Sequence, residues 1–294
     1  MARKGKNKLV KIAEQMAVNL DPNNVLVVDA LNLAFRWKPY KVKKGEKPAK
    51  VTAFASEFVK TVESLARSYK CGKIVIAADQ GGSLYRREIF PDYKGNRKEL
   101  YKDDTAEEKE VTRQFFDEYE RAIEACDGRF ELLRFPGVEA DDIAAYIVTN
   151  RVRYGIEQIW LISSDRDWDL LVDENVSRFS TVTRKEQTVL TWDNPVPRED
   201  YLTYKCLIGD KGDNVPGVDG VGPKRAASII AEYGSVFDIA DALPLSGKYK
   251  YIAALNSFKD QLLMNVELMD LPTYCAEAIG ESNCYLIDDA FNAN

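Results

Sequence analysis

The sequence predicts an α/β fold, a mostly parallel central sheet flanked by helices, with a smaller helical subdomain after it. Three observations carry this. The runs NVLVVDALN (from Asn24), GKIVIAADQG (from Gly72) and QIWLISSDRDWD (from Gln158) are continuously apolar until an aspartate ends them. Such runs suit strands covered on both faces, as in parallel sheets. Helically spaced segments fill the intervals. From about residue 198, short helical stretches alternate with Gly/Pro turns and no further strong strand appears.

Taken in order, residues 1–23 form a basic tail, and the first strand runs toward Asp29. Apolar spacing predicts a helix over Val51–Tyr69 before the strand that ends near Asp79. Residues 84–104 are basic and aromatic and too long for an ordinary βα connection. Val111, Phe115, Tyr119, Ala122 and Cys126 recur at steps of three and four, predicting a helix over Thr105–Cys126. A fourth strand is expected in RFELLRFPGV. Gly137 and Val138 then turn the chain into a helix reaching about Tyr154, with Glu139, Asp141 and Asp142 in its first turn. Residues 271–294 are weakly patterned, a tail or a wrap-around segment.

With 294 residues, 45% hydrophobic and 30% charged, the composition is that of a soluble globular protein, and no apolar run is long enough to span a bilayer. A cytoplasmic location without membrane contact is expected. The five cysteines are scattered without a CxxC pair, which favours idle thiols over disulfides or zinc. No histidine occurs anywhere. That excludes Ser–His–Asp and Cys–His nucleophile chemistry, HExxH zinc sites and any imidazole base. The net charge is −6, but the basic residues cluster. Arg36–Lys50 and Leu84–Lys102 are rich in lysine and arginine and seeded with aromatic rings, which suits a polyanion with bases to stack on and equally a solvated face.

Parallel strands bring their C-terminal ends to one edge, where open α/β sheets place their ligands. Asp29, Asp79, Asp165 and Asp167 should meet there, joined by Glu139, Asp141 and Asp142. Acids in the first turn of a helix are explained for one or two residues by the helix dipole, but not for a trio on this edge. Asp210 and Asp213 of IGDKGDNVPG extend the set to nine carboxylates with no strand-borne cation beside them. Such crowding needs protons or metal ions. All-oxygen donors suit Mg²⁺ or Mn²⁺, and this many suit two or more ions, the arrangement that serves in-line phosphoryl displacement.

In order along the chain, VVDALNLAFR, AADQGGSLYRREIFPDYKGNR, GVEADDIAAY, SSDRDWDLL and IGDKGDNVPGVDGVGPKRAASII resemble the flap endonuclease family of structure-specific 5′-nucleases, over roughly residues 24–270. The likeness is greatest to the tailed-bacteriophage members. It implies a PIN-like 5′-nuclease domain over residues 24–197 with a helical arch at about 84–126, and a helix–hairpin–helix subdomain over 198–270. It assigns Asp29, Asp79, Glu139, Asp141 and Asp142 to a first set of metal carboxylates and Asp165, Asp167, Asp210 and Asp213 to a second. Lys94 of DYKGNR would contact the scissile phosphate, with Arg97 as a second candidate. Tyr93 would stack on a terminal base or else be a core ring.

In GVDGVGPKRAAS, Gly217, Gly220 and Gly222 would let backbone approach phosphates, Lys224 and Arg225 would add contacts, and K⁺ could sit in the hairpin. Arg36 is a further DNA-binding candidate. The implied activity is divalent-metal-dependent flap endonuclease and 5′→3′ exonuclease action by a monomer on branched or nicked DNA with a 5′ flap or 5′ end, in phage replication or repair. The alternatives are an impaired branched-DNA-binding protein and a PIN-type ribonuclease.

Overall fold

The computed structural model describes residues 20–39, 49–97, 102 and 104–292. Most of the N-terminal tail, the middle of the basic run at 40–48, and residues 98–101 and 103 within the expected arch lie outside them.

A six-stranded sheet has the order β3-β2-β1-β4-β5-β6. Its strands are β1 (Asp21–Asp29), β2 (Cys71–Ala78), β3 (Glu131–Arg134), β4 (Gln158–Ile162), β5 (Val176–Phe179) and β6 (Glu186–Gln187). All neighbours pair in parallel except β5 and β6. The first four correspond to the expected strands, while β5 and β6 were not anticipated. β5 is short, and Arg178 at its centre faces inward to Asp169. β6 has two residues, too few for any periodic signal.

The continuous apolar runs follow from the alternation of side chains along a strand. Val25 and Val27 enter one core layer with Val75, Ala77, Ile159 and Leu161. Leu26 and Val28 enter the opposite layer with Ile76, Ala78 and Ile162. The second layer is closed by helices α2 (Ala55–Ser68) and α4 (Ala106–Cys126), through Phe58, Val62, Phe115 and Ala122. The short helix α1 (Ala30–Ala34) follows β1 directly, and α3 (Leu84–Ile89) follows β2 after a short loop. The first layer is closed by α5 (Ala140–Thr149), through Ile143, Ala144 and Ile147.

The remaining helices are α6 (Tyr201–Ile208), α7 (Pro223–Tyr233), α8 (Val236–Ala242), α9 (Lys250–Asn256), α10 (Lys259–Met269), α11 (Leu271–Ile279) and α12 (Glu281–Asn292). Helices α6 to α10 share a core of their own around Leu207, Ile230, Ile239, Leu255 and Leu262. Helices α11 and α12 turn back to the sheet domain. Leu271, Cys275, Ile279, Ile287 and Phe291 pack into the α5 layer, so the C-terminal segment wraps around rather than trailing.

Candidate active site

Most of the acidic side chains sit where a strand stops or a helix starts, and Asp210 and Asp213 lie in the loop after α6. Asp29 closes β1 and caps α1, accepting from the Asn32 amide at 3.1 Å and from the Ser163 hydroxyl at 2.8 Å. Asp79 follows β2 and accepts from the Ala140 amide at 2.6 Å, tying it to the first turn of α5. Glu139 is the N-cap residue of α5, one position before its first turn, and Asp141 lies within that turn, held by the Trp168 indole at 2.6 Å. Asp165 follows β4 and caps the 3₁₀ turn Arg166–Leu171 through the Asp167 amide at 2.9 Å. Asp210 accepts from the Gly212 and Asp213 amides in a loop closed by its bridge to Val215.

Cations borne on helices and loops, not on strands, relieve the crowding. Lys94 donates to Glu139 at 2.7 Å and lies 3.6 Å from Asp213, while Arg97 reaches Asp213 at 3.0 Å. Lys205 of α6 pairs with Asp167 and, at 3.3 Å, with Asp210. Arg86 of α3 grips both oxygens of Asp142 at 2.7 and 2.8 Å and approaches Glu139 at 3.7 Å. The segment bearing Lys94 is stitched to the second acidic loop through Lys94 N–H to Asp213 O (2.8 Å), Asn96 Nδ2 to Lys211 O (2.6 Å) and Asn214 Nδ2 to Asp92 O (2.8 Å). Lys94 holds a left-handed backbone conformation, φ 56°, a strained geometry of the kind that gathers at functional sites.

Burial pushes most of these carboxyls upward, Asp142 and Asp213 included in spite of their cations. Burial, then the charges of Asp79 and Asp165, raises Asp29 to about 8. Burial and Asp167 raise Asp165 to about 6. Burial and Asp165 drive Asp141 well above the ordinary carboxylate range. Glu139 moves the other way: its burial is overcome by Lys94 and Arg86, which hold it below the usual value. Among the described residues no three acidic or cysteine side chains surround one point at metal-ligand spacing, and several of the carboxylates are paired with ammonium or guanidinium groups. The donor set nonetheless fits hard cations. It is all oxygen, it converges from five segments, and the charge it lacks is positive. A cleft of about 500 Å³, lined by Asn32, Asp165, Asp167, Tyr201, Lys205 and Asp210, opens the second half of the basin to solvent.

Two expectations need correction, and the open choice at Tyr93 falls to the core ring. Tyr93 does not present a face for stacking: its ring is buried, and its hydroxyl donates between Glu139 (3.0 Å) and Asp213 (2.9 Å). Asp142 does not turn toward the basin, since Arg86 takes both oxygens behind it. Gly217 does not offer backbone to a ligand. A Cβ there would lie 2.2 Å from the Ile208 carbonyl, so the glycine lets the two chain segments pack.

Gly222, which caps α7, faces open space, while a side chain at the exposed Gly220 would meet Tyr251 and Arg225 at 3.6 and 3.8 Å; Lys224 is exposed and Arg225 lies 5.0 Å from the Tyr251 ring. Arg36 projects from the turn after α1, its guanidinium 5.6 Å from the Trp37 ring. Sequence reasoning missed Arg86, Lys205, Ser163 and Trp168. Only Lys205 left a trace, as a lone charge inside the apolar stretch YLTYKCLI.

A strand-end acidic basin joined to a helical domain with a glycine hairpin defines a nuclease of the resolvase-like class. Residues 24–196 match the 5′–3′ exonuclease N-terminal resolvase-like domain, and residues 196–286 match the 5′–3′ exonuclease C-terminal SAM fold. The flap endonuclease of Escherichia phage T5 is 44% identical over 91% of this chain and 90% of its own. DNA polymerase I of Bacillus subtilis is 29% identical over 78% of this chain, which spans only 25% of that polymerase. Solved structures of the T5 protein, one with metal ions and one as a pseudo-enzyme-product complex with DNA and metal ions, superpose with TM-scores of 0.83 and 0.84. Each is 41% identical and covers 92% of this chain and 98% of the T5 chain. The chain belongs to the 5′–3′ exonuclease family, and it is a metal-dependent 5′-nuclease.

Proposed function

We propose that the chain hydrolyses DNA at single-strand/duplex junctions, as a flap endonuclease and 5′→3′ exonuclease using Mg²⁺ or Mn²⁺. The observation that supports this reading is the gathering of eight carboxylates, from strand ends, the start of α5 and the loop after α6, with Lys94 and Arg97 stitched to that loop. Asp29, Asp79, Glu139 and Asp141 would hold the first cation, and Asp165, Asp167, Asp210 and Asp213 a second. Bound there, divalent cations polarise the phosphate and lower the pKa of an attacking water.

The protein side of the reaction rests on its cations. Lys94 is strongly held in its ammonium form by Glu139 and Asp213, against the effect of burial. A phosphate entering the basin with cations gives it a new partner. Its charge then meets the negative charge that builds in the transition state, with Arg97 beside it. Tyr93 spans Glu139 and Asp213 and so fixes the spacing of the two acidic sets. The open turn at Gly220–Gly222, with the N-terminus of α7, Lys224 and Arg225, grips duplex phosphates without reading sequence. The same hairpin is a place for K⁺.

The test is cleavage of an end-labelled 5′-flap duplex with Mg²⁺, the protein acting as a monomer. Cut product near the junction is expected. Tight binding without turnover under any divalent ion, or undiminished cutting by an Asp165→Asn/Asp167→Asn variant, would refute the proposal.

A further inference from the structure

Tyr119 lies at the centre of α4, and its ring is buried in the layer that contains Val28, Ala30 and Ala78, the chain neighbours of Asp29 and Asp79. Only 3% of the residue is exposed. Its hydroxyl has no hydrogen-bond partner, so it is a donor enclosed without an acceptor. A buried polar group in that position is destabilising unless something completes it.

The surroundings point to what completes it. The residue after Tyr119, Glu120, is gripped through both oxygens by Arg134 at 2.6 and 2.7 Å, and the same guanidinium donates to the main-chain carbonyl of Asp79 at 3.4 Å. That clamp fixes this part of α4 beside Asp79. The carboxylate of Asp79 uses one oxygen for the Ala140 amide. Burial first, then the charges of Asp79 and Asp29, keeps the phenol protonated far beyond the neutral range, so it acts only as a donor.

We propose that Tyr119 is a positioning residue for the first metal position, its hydroxyl donating into the oxygen shell that Asp29 and Asp79 organise around a divalent cation. The role rests on the metal-binding reading above. It gives α4 a direct part in metal affinity. Groups that orient ligands from behind are worth roughly tenfold to a hundredfold in metal affinity.

The experiment is titration of Mn²⁺ into the DNA-free protein, followed by the paramagnetic signal of the free ion, for wild type, Tyr119→Phe and Tyr154→Phe. The last removes a hydroxyl that serves Asp288, far from the basin. Tyr119→Phe should bind its tightest Mn²⁺ at least about tenfold more weakly. Tyr154→Phe should match wild type. The metal-free unfolding midpoint of Tyr119→Phe should not fall, since no hydrogen bond is lost.

Wild-type affinity in Tyr119→Phe overturns the inference and leaves the nuclease reading standing. A lowered metal-free midpoint overturns it as well, by assigning the hydroxyl to the fold. A wild-type protein that binds no Mn²⁺ sinks the metal reading itself, and this inference with it.

Discussion

Replacing Arg86 with methionine tests whether the acidic basin is braced from behind by a buried ion pair. The side chains of Arg86 and Asp142 are 3% and 0% exposed, and the contact is bidentate. Arg86 also donates through Nε to the Leu268 carbonyl at 2.8 Å, where α10 passes into α11. Removing one partner of a buried pair strands the other, which costs about 3–5 kcal/mol. The Leu268 carbonyl, left without its donor, adds about 1–3 kcal/mol. Methionine keeps most of the packing, so the loss is electrostatic.

Against a total stability of about 5–15 kcal/mol, Arg86→Met should lower the midpoint of urea unfolding by a large part of its value. In the double variant Arg86→Met/Asp142→Leu both charges are gone, and most of the loss should return, because apolar replacement of a buried pair is often neutral. The measurement is the midpoint and slope of urea unfolding in EDTA. A single variant within about 1 kcal/mol of wild type, or a double variant as unstable as the single, would refute the account.

Four further outcomes follow from the same geometry. Asp141→Asn should weaken Mg²⁺ binding in calorimetry far more than Asp142→Asn, whose carboxylate is already spent on Arg86; equal losses would return Asp142 to the ligand set. Lys94→Ala should lower kcat about 10²–10³-fold while changing DNA affinity much less, and an equal loss in both would make Lys94 a binding residue only. Metal-free protein should lose thermal stability as pH rises from 5 to 8, and Mg²⁺ should restore it. Asp29, raised to about 8, and Asp165, raised to about 6, keep protons in the folded state that the unfolded chain has released, so their contribution fades as pH climbs through those values; a flat profile would count against it. Affinity for duplex should fall steeply with salt, and Lys224→Ala should reduce the slope by about 1.

The strands and the acids at their ends were legible because burial on both faces leaves no polar position until the strand emerges. VLVV between Asn24 and Asp29 supplies both core layers at once. What the sequence hid was the set of partners. Arg86 and Lys205 lie far from Asp142 and Asp167 along the chain, and nothing local marks which acid each will meet. Tyr93 was readable as a core ring or a stacking ring, and only the closeness of Glu139 and Asp213 decides between them. Helix α11 carried a signal that was read as weak: Leu271, Cys275 and Ile279 recur every four residues, but the stripe is narrow and includes a cysteine. Gly217 looked like its neighbours Gly220 and Gly222, because a glycine needed for chain packing and one left open to a ligand have the same side chain.

The helix- and loop-borne cations answer how such a basin folds at all. Nine carboxylates on one edge would repel one another in the absence of metal. Lys94 and Arg97 stand partly exposed at the rim, whereas Lys205 is buried and Arg86 is sealed beneath the basin. The sealed pair cannot exchange partners without stranding a charge, so it holds the shape of the site. On the proposed function the rim cations can exchange, because a divalent ion that takes over Glu139 or Asp213 would leave the Lys94 ammonium free to meet a phosphate. On that reading, neutralising the basin and binding the scissile phosphate would be two uses of Lys94 and Arg97.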